Sequence, residues 1–240
     1  MLLCIDFQPA YAEALVDVLD PLKKRLKIAA IQGEEVHFIY NGICYHDGEE
    51  LGDSPDRVLQ WVREEELPLK EAFFLGKNFG WVSHLFRQGI ERTIGVLILR
   101  HLMESGLSSS AEIPGSELER IVASSHDHFE GFWDCSPAAW EEITSGAIAM
   151  PFVFEGGMVP WLESLRGKDI EVVGGFRHRC LDEICMMLEA GGISYRLNDS
   201  IIYSLPPDAS LCQDGMVPVP WIAPEDSAPY LGAEFEVPVC

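Results

Sequence analysis

Residues 2–7, 36–40 and 72–75 are three short apolar runs separated by two stretches of helical periodicity, and this β-α-β-α-β opening constrains the fold more than any other feature. A short, near-continuous apolar run marks a strand buried on both faces, and strands joined through helices pair in parallel with right-handed crossovers. Between the first two runs, Leu15, Val18, Leu19, Leu22, Leu26, Ala29 and Ala30 recur at helical spacing, and Gly33 ends the helix. Pro21 interrupts that stripe, which predicts a kink or a fresh start with Asp20 as N-cap and Pro21 at the first helical position. Ser54-Pro55 opens the second helix, with Val58, Trp61 and Val62 turned inward.

The middle of the chain differs in kind. Residues 81–104 read as helical and strongly apolar, 105–115 as a turn-rich loop, and 116–125 and 137–144 as two more helices, the last capped by Ser136. Residues 83–150 are therefore expected to form a helical insertion that covers the sheet edge or builds a lid or an oligomer contact. The apolar segment 94–102 is the reason to expect a homo-oligomer, although a buried core helix would explain it equally well. The alternation then resumes with a helix around Trp161, Leu162 and Leu165 and a strand over 170–173. A helix striped by Leu181, Ile184, Cys185 and Leu188 ends at Gly191-Gly192, and a strand over 193–197 follows. Beyond Pro206 the chain is proline-rich, with six acidic residues and no Lys or Arg. The expected organisation is one α/β domain over 1–205 containing the insertion, then a Pro-rich acidic C-terminal arm over 206–240. The expected architecture is a Rossmann-like three-layer fold, its mainly parallel central sheet of about five or six strands flanked by helices.

Composition narrows the function classes. A net charge of −22 over 240 residues opposes extended contact with a phosphate backbone, so nucleic acid is a disfavoured partner and a small-molecule substrate a compatible one. No run approaches the roughly 18 apolar residues of a membrane span, and the opening lacks the basic stretch of a signal peptide. A cytoplasmic location and no membrane association are expected. The seven cysteines are scattered without a C-x-x-C pair, which fits reduced thiols better than disulfides or a structural zinc site.

In an open parallel sheet, ligands bind outside the carboxyl ends of the strands where the strand order reverses. Asp6 ends the first apolar run, and an acid there is costly if buried unless it has a partner or a task. Lys77 lies just past the third run, placed to hold a carboxylate or support an oxyanion. Cys180 stands between the Gly174-Gly175 turn and an amphipathic helix. Unpaired amides of a helix start, with Arg177, His178 and Arg179 nearby, are expected to lower its pKa and favour a nucleophilic thiolate. Gln8, Asn41, Gly175 and Phe176 are the expected substrate-binding residues around these three.

An Asp at the end of the first strand, a Lys after a middle strand and a Cys opening a late helix together resemble the isochorismatase-like cysteine hydrolases. Leu3-Cys4-Ile5-Asp6-Phe7-Gln8 looks like that family's Val-Ile-Asp-x-Gln start, and Lys77-Asn78-Phe79-Gly80 stands where the family carries its Lys. Val172-Val173-Gly174-Gly175 through Cys180 is similar to its strand–Gly–x–Cys–helix element. The resemblance implies a Cys180 nucleophile, Asp6 as its base and Lys77 as electrostatic support. It further implies hydrolysis of a small amide, ester or enol-ether-like molecule with no cofactor and no metal.

Other readings compete. His126, Asp127, His128 and Cys135 could be metal ligands, although a polar loop explains them as well. Asp6, Asp182, Glu183 and Asp199 could hold Mg²⁺ in a PIN- or NYN-like nuclease. A non-catalytic interaction protein on a decayed hydrolase scaffold would use residues 156–161 and Trp221 as contacts. A solvent-open Cys180 favours the hydrolase, and a Cys180 filled over favours a structural role.

Overall fold

The computed structural model describes residues 1–46, 49–77, 92–125, 137–146, 148–149, 158–177 and 179–204. In chain order the strands are β1 (Leu2–Ile5), β2 (Val36–Asn41), the short pair β3 (Cys44–His46) and β4 (Glu49–Leu51), β5 (Ala72–Lys77), β6 (Glu171–Gly174) and β7 (Arg196–Ile202). The helices are α1 (Ala12–Leu15), α2 (Leu19–Gln32), α3 (Pro55–Glu64), α4 (Arg92–Ser105), α5 (Gly115–Ser125), α6 (Pro137–Thr144), α7 (Met158–Leu165) and α8 (Cys180–Ala190). Five of the strands form one all-parallel sheet in the order β5-β2-β1-β6-β7, while β3 and β4 pair antiparallel beside it.

Strand alternation divides the apolar residues between two faces. Leu2, Cys4, Val36, Phe38, Ala72 and Phe74 pack with Leu22, Leu26 and Ala29 of α2 and with Val58 and Val62 of α3. Leu3, Ile5, Ile39, Leu75 and Val172 pack with residues of α4 to α8. Helices thus cover both faces, which is the three-layer α/β arrangement expected. Within α4, Ile94, Ile98, Leu99 and Leu102 are buried in that second core, so the apolar run read as an oligomer contact is covered from within the chain.

The turn chemistry sets several boundaries. Gly33 closes α2 in the left-handed region at φ 64°. Ser54 caps α3 by accepting from the Arg57 amide, with Pro55 next in line. The restart near Pro21 occurs earlier than expected: Val18, not Asp20, is the cap. Asp20 and Pro21 instead occupy the first turn, where the acid favours the helix dipole and the missing N–H of proline leaves no bond unmade. The last strand begins at Arg196, later than residues 193–197 suggested. Ile193 packs into the core just after α8, and the outer strand carries polar residues because its free edge faces water. No helix among the described residues is long and apolar enough to cross a membrane.

The order of strands reverses between β1 and β6. Ile5 lies opposite both Ile39 and Gly174, and the Gly175 amide donates to the Ile5 carbonyl at 3.1 Å. Gly174 has φ +110°, and a Cβ there would lie 2.1 Å from the Ile5 oxygen. The chain therefore leaves β6 in contact with β1 through a position that only glycine fits. Gly174→Ala is expected to cost about 3 kcal/mol of stability through strain and displacement of β1. Urea denaturation of the two proteins measures it.

Candidate functional site at the strand reversal

Asp6 is the first residue past β1, and its amide still donates to the Ile39 carbonyl at 2.7 Å. Its φ of +57° lies in the left-handed region, which Asp tolerates better than most residues. The carboxyl group is fully buried. Asn41 Nδ2 donates to its Oδ2 at 3.1 Å, whereas Oδ1 has no hydrogen-bond partner among the described residues. The Tyr203 hydroxyl donates to the Asp6 carbonyl at 2.7 Å, so the turn is held from the far side of the switch as well.

Asn41 ends β2 and is the hub. Its Nδ2 stands 3.1 Å from Asp6 Oδ2, 2.9 Å from the Tyr11 hydroxyl and 3.5 Å from Cys180 Sγ. Two N–H protons thus face three acceptors, and the hydrogen bonding can shift among them. Asn41 Oδ1 accepts from Lys77 Nζ at 2.5 Å. Lys77 comes from the outer strand β5, in register with Asn41, and is buried with Nζ 3.3 Å from Glu183 Oε2. Cys180 begins α8 and Glu183 lies three residues later, on the same side of the helix. Asp6, Lys77 and Cys180 therefore meet, and Asn41 and Glu183 complete a buried cluster.

Its electrostatics follow from burial. Desolvation raises the Asp6 pKa above its ordinary value, opposed by the Lys77 charge and by hydrogen bonds from Cys180 and Asn41. Burial would lower the Lys77 pKa, but Asp6, Cys180 and Glu183 outweigh it and hold the ammonium charged. The Cys180 thiol is pushed up to about 12, first by burial and then by the Asp6 carboxylate, with Lys77 opposing. This reverses the expected lowering. Arg177 turns outward to Asp199 at 2.6 Å, and the groups around the sulfur include two carboxylates. At 3 % exposure, Cys180 is also closed to solvent rather than open in a pocket.

The remaining expected site residues divide. Gln8 is buried but bonded to backbone and to Asp53: its Oε1 accepts from the Asn41 amide at 2.7 Å and its Nε2 donates to Asp53 Oδ2 at 2.8 Å. It braces the turn that carries Asn41. Gly175 lies against the Tyr203 ring, which a Cβ would approach to 2.6 Å. Phe176 is buried edge-on to Tyr11 and Tyr203, and the Gly175–Phe176 peptide is cis. Of the acids read as Mg²⁺ ligands, Asp182 pairs with Arg92 at 3.1 Å and Asp199 lies exposed on β7. Among the described residues no group of three or more His, Cys, Asp or Glu could hold a metal ion. His126, Asp127, His128, Cys135, His178 and Trp221 lie outside the described residues. Trp161 is a core residue that donates to His37 Nδ1 at 3.3 Å.

Comparison with protein-family models, with curated proteins and with solved structures finds no match.

Glu183, which the sequence offers only as a Mg²⁺ ligand, is the member of the cluster not expected there. Its spacing of three from Cys180, in a helix otherwise buried almost all round, was the available signal. Tyr203 and Asp53 left none.

Among the described residues two carboxylates lie beside one ammonium. The folded Asp6 pKa is raised above 3.8, so its contribution to stability is full below that value and is lost as pH rises through the folded pKa. Asp6→Asn, which keeps the side-chain shape and suits positive φ, should therefore melt higher than wild type at neutral pH, the gap widening as pH rises from 3.8. Lys77→Met strands the carboxylates and should lose about 3–5 kcal/mol. Calorimetry across pH checks both.

Proposed function

We propose that the protein is a hydrolase that acts on a small molecule through a Cys180 nucleophile, as the resemblance to isochorismatase-like cysteine hydrolases implies. The single observation that carries this reading is that Asp6, Lys77 and Cys180 meet in one dry cluster at the strand reversal. Burying these charges is expensive, and a packed apolar cluster would be more stable, so the arrangement is supported by a chemical task. The positive φ of Asp6 adds backbone strain at the same point.

Asp6 takes the thiol proton as Sγ bonds to the carbonyl carbon of an amide or ester. Lys77 stabilises the negative charge that develops on sulfur as the proton leaves during attack. As the tetrahedral adduct collapses, Asp6 returns the proton to the leaving amine or alcohol and an acyl thioester remains. Water then attacks the thioester carbon, gives one proton to Asp6 and releases the acid. The proton held by Asp6 passes back to sulfur. The acidic surface favours neutral or cationic substrates over polyanions.

Cys180→Ala is expected to lower turnover of a panel of activated esters and primary amides at least about a thousandfold with little loss of stability. Retained turnover overturns the mechanism.

A second reading, a scaffold without turnover, is favoured by the burial and neutrality of Cys180. Alkylation of the native protein separates the two, with the buried Cys4 and Cys185 as internal standards. A working hydrolase must open to substrate, so Cys180 should be modified well before Cys4 and Cys185. Equal protection of all three supports the scaffold.

A further inference from the structure

One charged group of the cluster has no part in the chemistry above. Glu183 is fully buried, on the first turn of α8, with Oε2 3.3 Å from Lys77 Nζ. Lys77 belongs to the outermost strand, and its ammonium reaches the reversal only by extending past β2. An ammonium on a flexible four-carbon stem has three donors and no preferred direction, so its acceptors decide where it sits. We propose that Glu183 is a positioning residue that, together with Asn41 Oδ1, fixes the Lys77 ammonium beside Cys180 and Asp6 in every protonation state of that pair. The proposal rests on the cysteine-hydrolase reading for its purpose and on the geometry for its content.

The need arises from proton transfer. When the S–H bond of Cys180 breaks and an O–H bond forms on Asp6, negative charge passes from the carboxylate to the sulfur. Asp6 then ceases to be a counter-ion at the moment when Lys77 must support the thiolate. Glu183 takes no proton in the step, so its carboxylate keeps Lys77 charged and in place throughout. Among the described residues, the charged and titratable groups around the sulfur are Asp6 past β1, Lys77 on β5, Glu183 on α8, and the Tyr11 and Tyr203 hydroxyls. Asp182, the neighbouring acid on α8, is engaged by Arg92.

The same carboxylate faces the sulfur, so it has a second effect that a packing role lacks. Its charge raises the thiol pKa alongside burial and Asp6. Replacing it by a neutral isostere removes that charge from beside the sulfur and makes the thiolate easier to form.

The experiment is a pH titration of thiolate ultraviolet absorbance, taken as the difference between each protein and its Cys180→Ser counterpart, which requires neither substrate nor access to the thiol. Glu183→Gln should form the Cys180 thiolate about one pH unit or more below wild type. A midpoint unchanged from wild type would overturn the proposal, because a carboxylate that holds Lys77 beside the sulfur must also act on the thiolate through its own charge. If Glu183→Gln does not fold, Glu183→Asp draws the carboxylate back by one methylene and should lower the midpoint in the same direction by less. No fall there overturns it equally. Turnover of the ester and amide panel, measured on wild type and Cys180→Ala, judges the hydrolase reading separately. A shifted titration without turnover rejects the hydrolase and keeps the Glu183 role, and turnover with an unshifted titration does the reverse.

Discussion

A lysine ammonium held out of water is the constraint on which the rest of this structure depends. Removing such a charge from solvent costs several kcal/mol unless anions and hydrogen-bond acceptors surround it. Lys77 finds them on three separate elements: Asp6 after β1, Asn41 at the end of β2 and Glu183 on α8. Neighbouring strands lie about 4.8 Å apart, so a group on β5 must cross roughly twice that to reach the turn after β1. Only a long side chain can do so, and only if β2 ends in a short polar residue that lets it pass. The strand order, the Gly174 contact with Ile5 and the start of α8 at Cys180 are all needed to bring those partners to the ammonium.

The opposite end of the sheet is charged in a different way. Arg25 of α2 pairs with Glu34 at 2.8 Å and with Glu171 of β6 at 3.1 Å, and Arg196 and Asn198 of β7 bond Glu171 as well. Burial works against ionisation of Glu171, but these partners outweigh it and hold its pKa below the ordinary carboxylate value. Positive and negative groups are matched there, and each strand start is tied to its neighbours. At the reversal, among the described residues, two carboxylates lie beside one ammonium. Both ends keep buried polar atoms without a hydrogen-bond partner among the described residues, Arg25 Nη1 and Glu34 Oε2 at one and Asp6 Oδ1 at the other, and the reversal differs in holding its buried charges beside a thiol.

The legible part of the sequence was the part governed by local rules. Apolar runs gave the strands because both sheet faces are covered, and Gly33, Ser54 and Pro55 marked helix ends through their own backbone chemistry. Asp6, Lys77 and Cys180 could be picked out because each interrupts or follows an apolar run at a strand or helix boundary. The sulfur's surroundings could not be read in the same way. Arg177 and Arg179 are its neighbours in sequence, yet Asp6 and Glu183 are among its neighbours in space, and the first of those comes from the other end of the chain. Charges close in sequence at a turn radiate outward, whereas those closest in the fold are set by strand order. The outer strand β7 departs from the expected bounds for a related reason: residues 198–200 in its middle are polar at a free edge, and its apolar residues, Leu197, Ile201 and Ile202, lie toward its two ends.

Burial of Cys180 and its proposed role as nucleophile are compatible once the destination of the proton is specified. A thiol pushed up to about 12 resists giving its proton to water. The proposed acceptor within the cluster is instead Asp6, whose own affinity for a proton is raised by the same burial. The relevant quantity is the difference between two groups in one environment, and desolvation acts on both in the same direction. Transfer moves one negative charge a short distance past a fixed ammonium and creates none. A dry site therefore penalises the free thiolate strongly while penalising the exchange between Cys180 and Asp6 much less. Such a cluster keeps its sulfur neutral at rest, and under the proposed mechanism its nucleophilicity is released only when an electrophile arrives to take up the charge.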